Sequence, residues 1–156
     1  MWGDNIKILF VCTGNTCRSV MAEGILNFLS VDKNVISKSA GISIVPNSVA
    51  SNHAAFMLKT EYNVDVLNRK AVQIEYDMIK EADLILTMTY PMKVFLQKEY
   101  NEYIKKIFTL KEYAGETEDL NICDPYGGDL NAYELCFAEI DKYIKILLKK
   151  QNFLYW

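Results

Sequence analysis

The residues best suited to chemistry lie together near the amino end of the chain, in the loop Cys12-Thr13-Gly14-Asn15-Thr16-Cys17-Arg18-Ser19. Residues 6–11 form a short apolar run typical of a buried strand, and a helix with one apolar face is predicted from about Ser19. At such a junction the first N–H groups of the helix lack intrahelical partners, and the helix dipole adds partial positive charge. The sequence therefore predicts an anion-binding loop.

The side chains of this loop suit a phosphate group. Arg18 follows Cys12 by six positions, so a loop wrapped around a phosphate brings both side chains to one anion. A guanidinium binds phosphate through two parallel hydrogen bonds, and the positive surroundings favour a cysteine thiolate that can attack phosphorus. Ser19 can donate a hydrogen bond to that thiolate, and Gly14 and Asn15 permit unusual backbone angles. The predicted phosphate-binding residues are Thr13, Gly14, Asn15, Thr16, Cys17, Arg18 and Ser19.

A second candidate is the turn that begins at Asp124-Pro125-Tyr126 and continues with two glycines. Cleavage of a phosphate ester or amide requires protonation of the leaving group, and a positioned acid accelerates such steps by about 10²–10⁴-fold. The proline restricts the backbone around Asp124 and so fixes the direction of its carboxyl group. By its residues alone, the same segment also fits a plain turn before the last helix.

Other uses of these residues are less consistent with the pattern. A Walker-type nucleotide loop requires a second glycine and a lysine that are missing here. The alternative that Cys12 is an inert buried thiol at the end of a strand is not excluded by the residues alone. The remaining cysteines are Cys17, Cys123 and Cys136, the only histidine is His53, and no C-x-x-C occurs. We therefore predict no metal site and no cofactor.

The elements that must position this loop alternate between strands and helices. Strands are predicted at residues 6–11, 35–40, 84–87 and 104–108, and helices from about Ser19 and at residues 52–60, 74–81, 91–99 and 130–149. This alternation favours an α/β domain with a parallel sheet covered by helices on both faces. The ligand site of such a sheet lies at the carboxyl ends of its strands, where the Cys12 loop falls.

Composition and charge limit the functional class. The 156 residues suit one domain, residues 1–156, and the net charge of −3 indicates no general attraction to nucleic acid or to acidic membranes. No apolar run approaches the roughly 20 residues of a membrane span, and no secretory signal is recognisable, so we expect a cytoplasmic protein. A monomer is expected. Trp2 and the apolar residues 153–156 can cover the protein's own body or a partner.

Taken together, these motifs resemble the low-molecular-weight protein-tyrosine phosphatase family. The similarity rests on Ile8 to Ser19, Met21-Ala22-Glu23, Ser39-Ala40-Gly41, the segment Ala82 to Met88 and Asp124-Pro125-Tyr126. It implies the phosphotyrosine protein phosphatase I-like fold, a single three-layer domain with a four-stranded parallel sheet and helices on both faces. It also implies a phosphocysteine intermediate, with Cys12 as nucleophile, Arg18 as phosphate binder, Asp124 as general acid, and Asn15 and Ser19 as loop supports. Val20 departs from the family, which usually has proline there.

One residue points to a branch of that family. Thr16 stands where the tyrosine phosphatases mostly carry a bulky Ile or Leu, and together with Tyr126-Gly127-Gly128 it resembles the protein-arginine phosphatases. A hydroxyl in the pocket wall can hydrogen-bond a guanidinium, and ionised Asp124 suits a cationic leaving group. We therefore expect phosphoarginine in proteins as the substrate, with Thr16 and Tyr126 as selectivity residues, and keep phosphotyrosine as the alternative.

Two further alternatives have less support. A thioredoxin-coupled arsenate reductase needs a resolving cysteine pair after the third strand, where residues 86–90 contain no cysteine. An inactive phosphate-binding module would typically lack the nucleophile, the arginine or the acid, whereas all three are present. We also expect Cys12 and Cys17 to form a reversible disulfide under oxidant, unless Cys17 only packs beneath the loop.

Overall fold

The computed structural model describes residues 5–150 and has four parallel strands in one sheet. The strands are β1 (Ile6–Cys12), β2 (Val35–Gly41), β3 (Leu84–Thr87) and β4 (Ile107–Thr109), in the spatial order β2-β1-β3-β4. This confirms the predicted four-stranded parallel sheet within a single α/β domain. Trp2 and residues 153–156, discussed above as possible packing surfaces, lie outside the described residues.

Helices cover both faces of the sheet. The α-helices are α1 (Arg18–Leu29), α2 (Asn52–Tyr62), α3 (Tyr76–Glu81), α4 (Tyr90–Glu99), α5 (Leu110–Tyr113) and α6 (Leu130–Leu148), and a 3-10 helix spans Asn101–Lys106. Ile8 and Phe10 of β1 belong to the core cluster that includes α1, α2 and α6, whereas Leu9 and Val11 belong to the cluster with α3 and α4. Because β1 is buried on both faces, it reads as a continuous apolar run rather than an alternating one.

The order of the strands places the loop after β1 at a functional position. The chain leaves β1 towards β2 on one side and later returns to place β3 on the other side of β1. Such a reversal leaves a crevice at the carboxyl ends of the strands, because successive crossovers lead in opposite directions from it. The loop that begins at Cys12, the last residue of β1, lies at this crevice.

The fourth strand, predicted at residues 104–108, is present, but its predicted start is wrong. Ile104 lies in the 3-10 helix and is 46% exposed, and β4 begins only at Ile107. Lys106 is the last residue of that helix. Its ammonium group donates hydrogen bonds to the carbonyls of Lys80 and Ala82. The apolar residue at position 104 was therefore a partly exposed helical residue and not the first position of the strand.

The structure also revises one helix boundary and adds one helix. Ile74 was predicted to begin a helix, but its N–H donates to Gly41 O at 2.9 Å, so this segment extends the edge of β2 before α3 begins at Tyr76. Helix α5 was not predicted. Its signal was present in the sequence, because Thr109 and Glu112 form a reciprocal capping box at its start.

No helix within residues 5–150 is long and apolar enough to cross a bilayer.

Gly41 allows the loop after β1 to lie close to the end of β2. A Cβ atom at position 41 would lie 2.7 Å from the Thr13 carbonyl oxygen and 3.1 Å from the Cβ of Asn15. The first of these neighbours is backbone, which cannot rotate away. The neighbouring N–H of Ile42 donates to Cys12 O at 2.9 Å, so the close approach is also held by a hydrogen bond.

We predict that Gly41→Ala destabilises the protein because the new methyl group displaces the Cys12 loop. The free energy of unfolding should fall by about 1–3 kcal/mol, the usual cost of overpacking, as measured by urea denaturation. Gly14→Ala is the control, since its Cβ would meet only Thr16 Oγ1, at 3.9 Å. Equal losses of stability in the two variants would contradict the argument.

Candidate active site

A cavity of about 480 Å³ opens at the carboxyl ends of the strands, around the predicted phosphate loop. Its lining residues are Cys12, Thr13, Gly14, Asn15, Thr16, Cys17, Arg18, Ser43, Val45, Ser48, Asp124 and Tyr126. All the predicted site residues except Ser19 therefore line one cavity. Ser19 lies immediately behind it, in hydrogen-bond contact with Cys12. Ser43, Val45 and Ser48 were not predicted.

The sulfur of Cys12 is held by two hydrogen-bond contacts within the loop. Cys12 is only 4% exposed, and its Sγ lies 2.8 Å from Ser19 Oγ and accepts the N–H of Asn15 at 3.2 Å. The predicted contact between Ser19 and the cysteine is therefore present.

Three carbonyl groups of the loop are occupied by hydrogen bonds from segment 42–51. Cys12 O, Thr13 O and Thr16 O accept the N–H groups of residues 42, 43 and 51, respectively, at 2.9, 3.0 and 2.9 Å. In a trans peptide the C=O of one residue and the N–H of the next point in opposite directions. The N–H groups that follow these carbonyls therefore face the opposite side from segment 42–51, where a phosphate can accept their hydrogen bonds.

Asn15 supports the left-handed turn of the loop. It has φ 55° and is fully buried. Its Nδ2 donates to Ser19 Oγ at 2.7 Å and to Ser39 Oγ at 3.0 Å, while its Oδ1 accepts from Val72 N at 2.8 Å and from Arg69 Nη1 at 3.0 Å. Asparagine tolerates this conformation better than most residues. The prediction for Asn15 holds, but Gly14 has no positive φ, so that part of the backbone argument was wrong.

Arg69 and Glu23 complete the support under Asn15, and sequence reasoning missed both. Arg69 Nη2 pairs with Glu23 Oε1 at 3.0 Å and also donates to Ser39 Oγ at 2.9 Å. Both ionic side chains are about a quarter exposed, at 22% and 24%. Residue 69 lies in a segment without helical or strand periodicity, so no local signal could have assigned it to the site.

Arg18 connects the phosphate loop to the predicted acid. Its side chain is 8% exposed; Nη1 donates to Ile122 O at 3.1 Å, and Nη2 lies 3.6 Å from Asp124 Oδ2. Asp124 is 59% exposed and accepts the N–H of Tyr126 on its other oxygen at 3.0 Å. The structure therefore brings Cys12, Arg18 and Asp124 to one cavity and leaves the carboxyl group accessible to a leaving group.

The segment before Asp124 is held in place by buried charges. Lys111, only 4% exposed, donates to Asn121 O and to Glu139 Oε2, each at 3.2 Å. Glu139 Oε1 accepts the N–H of Cys123 at 3.2 Å. Burial and the adjacent Glu139 carboxylate raise the pKa of the Cys123 thiol. These contacts restrain the backbone that carries the candidate acid, which the sequence pattern did not reveal.

The thiol of Cys17 contacts helix α6. Its Sγ lies 3.1 Å from Tyr133 Oη on α6, and burial together with this contact raises the pKa of Tyr133 to about 12. The Tyr133 hydroxyl therefore keeps its proton at neutral pH. Cys17 can contribute its backbone N–H to a phosphate, while its thiol packs beneath the loop.

Thr16 and Tyr126 add a polar and an aromatic side chain to the cavity lining. Thr16 belongs to the nucleophile loop and is partly buried, whereas Tyr126 is 80% exposed. Residues 5–150 include no group of three or more His, Cys, Asp or Glu side chains placed to hold a metal ion.

Comparisons with known proteins find a family model and relatives that match most of this chain. The family model described as low molecular weight phosphotyrosine protein phosphatase matches residues 7–152. The chain is 34% identical over 147 residues to a protein-arginine-phosphatase of Bacillus subtilis (strain 168), covering 93% of this chain and 96% of that protein. It is 38% identical over 144 residues to a protein-arginine-phosphatase of Geobacillus stearothermophilus, covering 92% and 95%.

A solved structure agrees in fold. The low molecular weight protein tyrosine phosphatase from T. tengcongensis superposes with a TM-score of 0.88 at 41% identity, covering 93% of this chain and 99% of that one. The relatives therefore include proteins named for each of the two phosphorylated residues.

We predict that Arg69→Met weakens both the fold and the catalytic loop, because Asn15 loses one hydrogen-bond partner and Glu23 loses its counter-charge. The free energy of unfolding should fall by about 1–3 kcal/mol. Displacement of the loop should lower kcat for an aryl phosphate by about tenfold or more. Chemical denaturation and steady-state kinetics measure the two effects.

The matched control is Lys70→Met, which removes the same charge from the exposed neighbouring residue. Its stability should stay within about 0.5 kcal/mol of wild type, as for most surface substitutions. Arg69 has no special role in the site if the two variants behave alike.

Proposed function

The chain belongs to the low-molecular-weight phosphotyrosine protein phosphatase family, and from this membership and its pocket we propose that it hydrolyses phosphoarginine in proteins. It is a cysteine-based protein phosphatase. The proposal concerns the phosphorylated residue and the role of each side chain. The observation that carries it is Thr16, which places a small side chain with a hydroxyl group on the wall of the cavity beside the nucleophile loop.

In the proposed first step, Cys12 Sγ attacks phosphorus as a thiolate. An S–P bond forms while the bond from phosphorus to the guanidino nitrogen breaks, and Asp124 gives its proton to that nitrogen. Arg18 and the loop N–H groups bind the phosphoryl oxygens and stabilise the charge that they carry. Asp124 is left as a carboxylate beside a cationic guanidinium product, which it can pair with until release.

In the second step, water attacks the phosphocysteine. Asp124 accepts a proton from the water, the S–P bond breaks, and inorganic phosphate leaves with Cys12 restored as a thiolate. Ser19 stabilises the thiolate in the free enzyme and again at the end of the cycle, because its hydroxyl lies 2.8 Å from Sγ. No electron transfer is required.

Thr16 distinguishes phosphoarginine from phosphotyrosine in this proposal. A guanidinium group has N–H donors that a threonine hydroxyl can accept, whereas a tyrosine ring has none. A bulky branched side chain at position 16 would supply no acceptor and would crowd a planar guanidinium. The two relatives named protein-arginine-phosphatase support the same choice.

Phosphotyrosine is the second candidate substrate. The relative with 41% identity is named a protein tyrosine phosphatase, and the exposed Tyr126 at the cavity mouth can stack on an aromatic ring. Asp124 would then protonate a phenolate oxygen in place of nitrogen.

The cytoplasmic location and the monomeric state of this protein stay predictions.

The deciding experiment uses peptides of one sequence that carry either phosphoarginine or phosphotyrosine. Thr16→Ile should lower the ratio of kcat/KM for phosphoarginine to that for phosphotyrosine by about tenfold or more, because the pocket loses an acceptor and gains bulk. Thr16→Ser, which keeps the hydroxyl, is the matched control and should retain the wild-type preference. An unchanged ratio in Thr16→Ile would refute the assignment of Thr16.

We also predict a reversible disulfide between Cys12 and Cys17 after treatment with hydrogen peroxide, which requires the Cys17 thiol to leave its contact with Tyr133. The peroxide oxidises Cys12 to a sulfenic acid, and the Cys17 thiol then displaces water to form the S–S bond. Peptide mass spectrometry should find the bridged peptide, and its loss in Cys17→Ser provides the control. Cys136 should stay a thiol, since burial raises its pKa. Inactivation by peroxide without any bridged peptide would contradict the prediction.

A further inference from the structure

Ser48 carries an unusual hydroxyl group in the wall of the catalytic cavity. Within residues 5–150, its Oγ is the one buried side-chain nitrogen or oxygen atom without a hydrogen-bond partner. Buried polar atoms are satisfied in the great majority of cases, so an exception at a binding cavity calls for an explanation. Ser48 lines the same cavity as Cys12, Thr16 and Asp124.

The backbone of Ser48 is firmly held, although its hydroxyl is not. Its N–H donates to Val45 O at 3.0 Å, and its carbonyl accepts the N–H of Ala71 at 2.9 Å. The preceding Asn47 has φ 66°, in the left-handed region that a tight turn requires. The chain therefore fixes the Cα of Ser48 at the cavity wall, while no hydrogen bond holds its side chain in one rotamer.

Position 48 is tied to the wall that contains Thr16. Three residues after Ser48, the N–H of Ser51 donates to Thr16 O at 2.9 Å. The segment with Ser48 and the loop with Thr16 are thus joined by a main-chain hydrogen bond. Thr16 and Ser48 therefore line the same cavity from two connected segments.

We propose that Ser48 is a further specificity-determining residue, whose hydroxyl rotates from its buried position into the cavity and accepts an N–H of the guanidinium group of phosphoarginine. This inference rests on the proposed function. A guanidinium that bears a phosphoryl group still has several N–H donors, and a serine hydroxyl has two acceptor lone pairs. Together with Thr16, Ser48 would give the cavity two hydroxyl acceptors for one cationic planar group.

The same hydroxyl offers little to phosphotyrosine. The aromatic ring of that substrate has no N–H to donate, so an acceptor beside it stays unpaired. Removal of the Ser48 hydroxyl should therefore change the hydrolysis of phosphoarginine selectively. This selectivity separates a contact with the substrate from a structural role, which would affect all substrates equally.

The test compares wild type, Ser48→Ala and Ser48→Thr on phosphoarginine and phosphotyrosine peptides of one sequence and on 4-nitrophenyl phosphate. Ser48→Ala should lower kcat/KM for phosphoarginine by about 5- to 10-fold, the worth of one hydrogen bond, and leave the other two substrates unchanged. Ser48→Thr keeps the hydroxyl and should restore most of the activity. Thr117→Ala, which removes an exposed hydroxyl outside the cavity lining, is the control for the substitution itself.

The outcomes separate this inference from the proposed function. If wild type does not cleave the phosphoarginine peptide, the proposed function is wrong and the inference falls with it. If wild type cleaves it and Ser48→Ala leaves that rate unchanged, only the inference is wrong. Equal losses on all three substrates, or a lowered Tm in Ser48→Ala, would assign Ser48 a structural role and also overturn the inference.

Discussion

The geometry of the catalytic loop depends on one buried carboxamide, that of Asn15. A left-handed residue in the middle of the loop turns the chain around the phosphate position, and this conformation must be stabilised because it is unfavourable for most side chains. Asn15 uses both donors and both acceptor positions of its side chain within the protein. Ser19, which receives one of these hydrogen bonds, in turn contacts the nucleophile.

This arrangement joins three distant parts of the chain at a single side chain. The loop supplies Asn15 and Ser19, the end of β2 supplies Ser39, and the segment before α3 supplies Arg69 and the Val72 N–H. The sheet can bring them together because β1 and β2 are parallel neighbours whose carboxyl ends meet at one edge. The fold therefore acts on the chemistry through loop conformation as well as through direct contact with substrate.

Local sequence patterns predicted what local structure determines. The strand, the loop and the first helix are consecutive, so their residue types could predict that Cys12, Arg18 and Ser19 lie close together. Cys12 and Arg18 line one cavity, and Ser19 contacts Cys12 behind it. The predicted helix at residues 130–149 likewise matches α6. The paired Arg69 and Glu23 could not be found this way, because they are 46 positions apart and meet only through tertiary packing. Ile104 was misassigned because an apolar residue that is half exposed in a 3-10 helix looks the same in sequence as one in a strand.

The position of Arg69 has a consequence for how the protein loses activity. Residues 63–75, between α2 and α3, contain no helix or extended strand, and only isolated bridges, such as the one between Gly41 and Gln73, join them to the edge of the sheet. Segments of this kind open locally at a lower free-energy cost than the global unfolding of a domain. Each such opening would withdraw the partner of Asn15 while the sheet stays intact. The enzyme would then pass through folded but inactive states, and mild denaturant would abolish turnover before it abolished secondary structure.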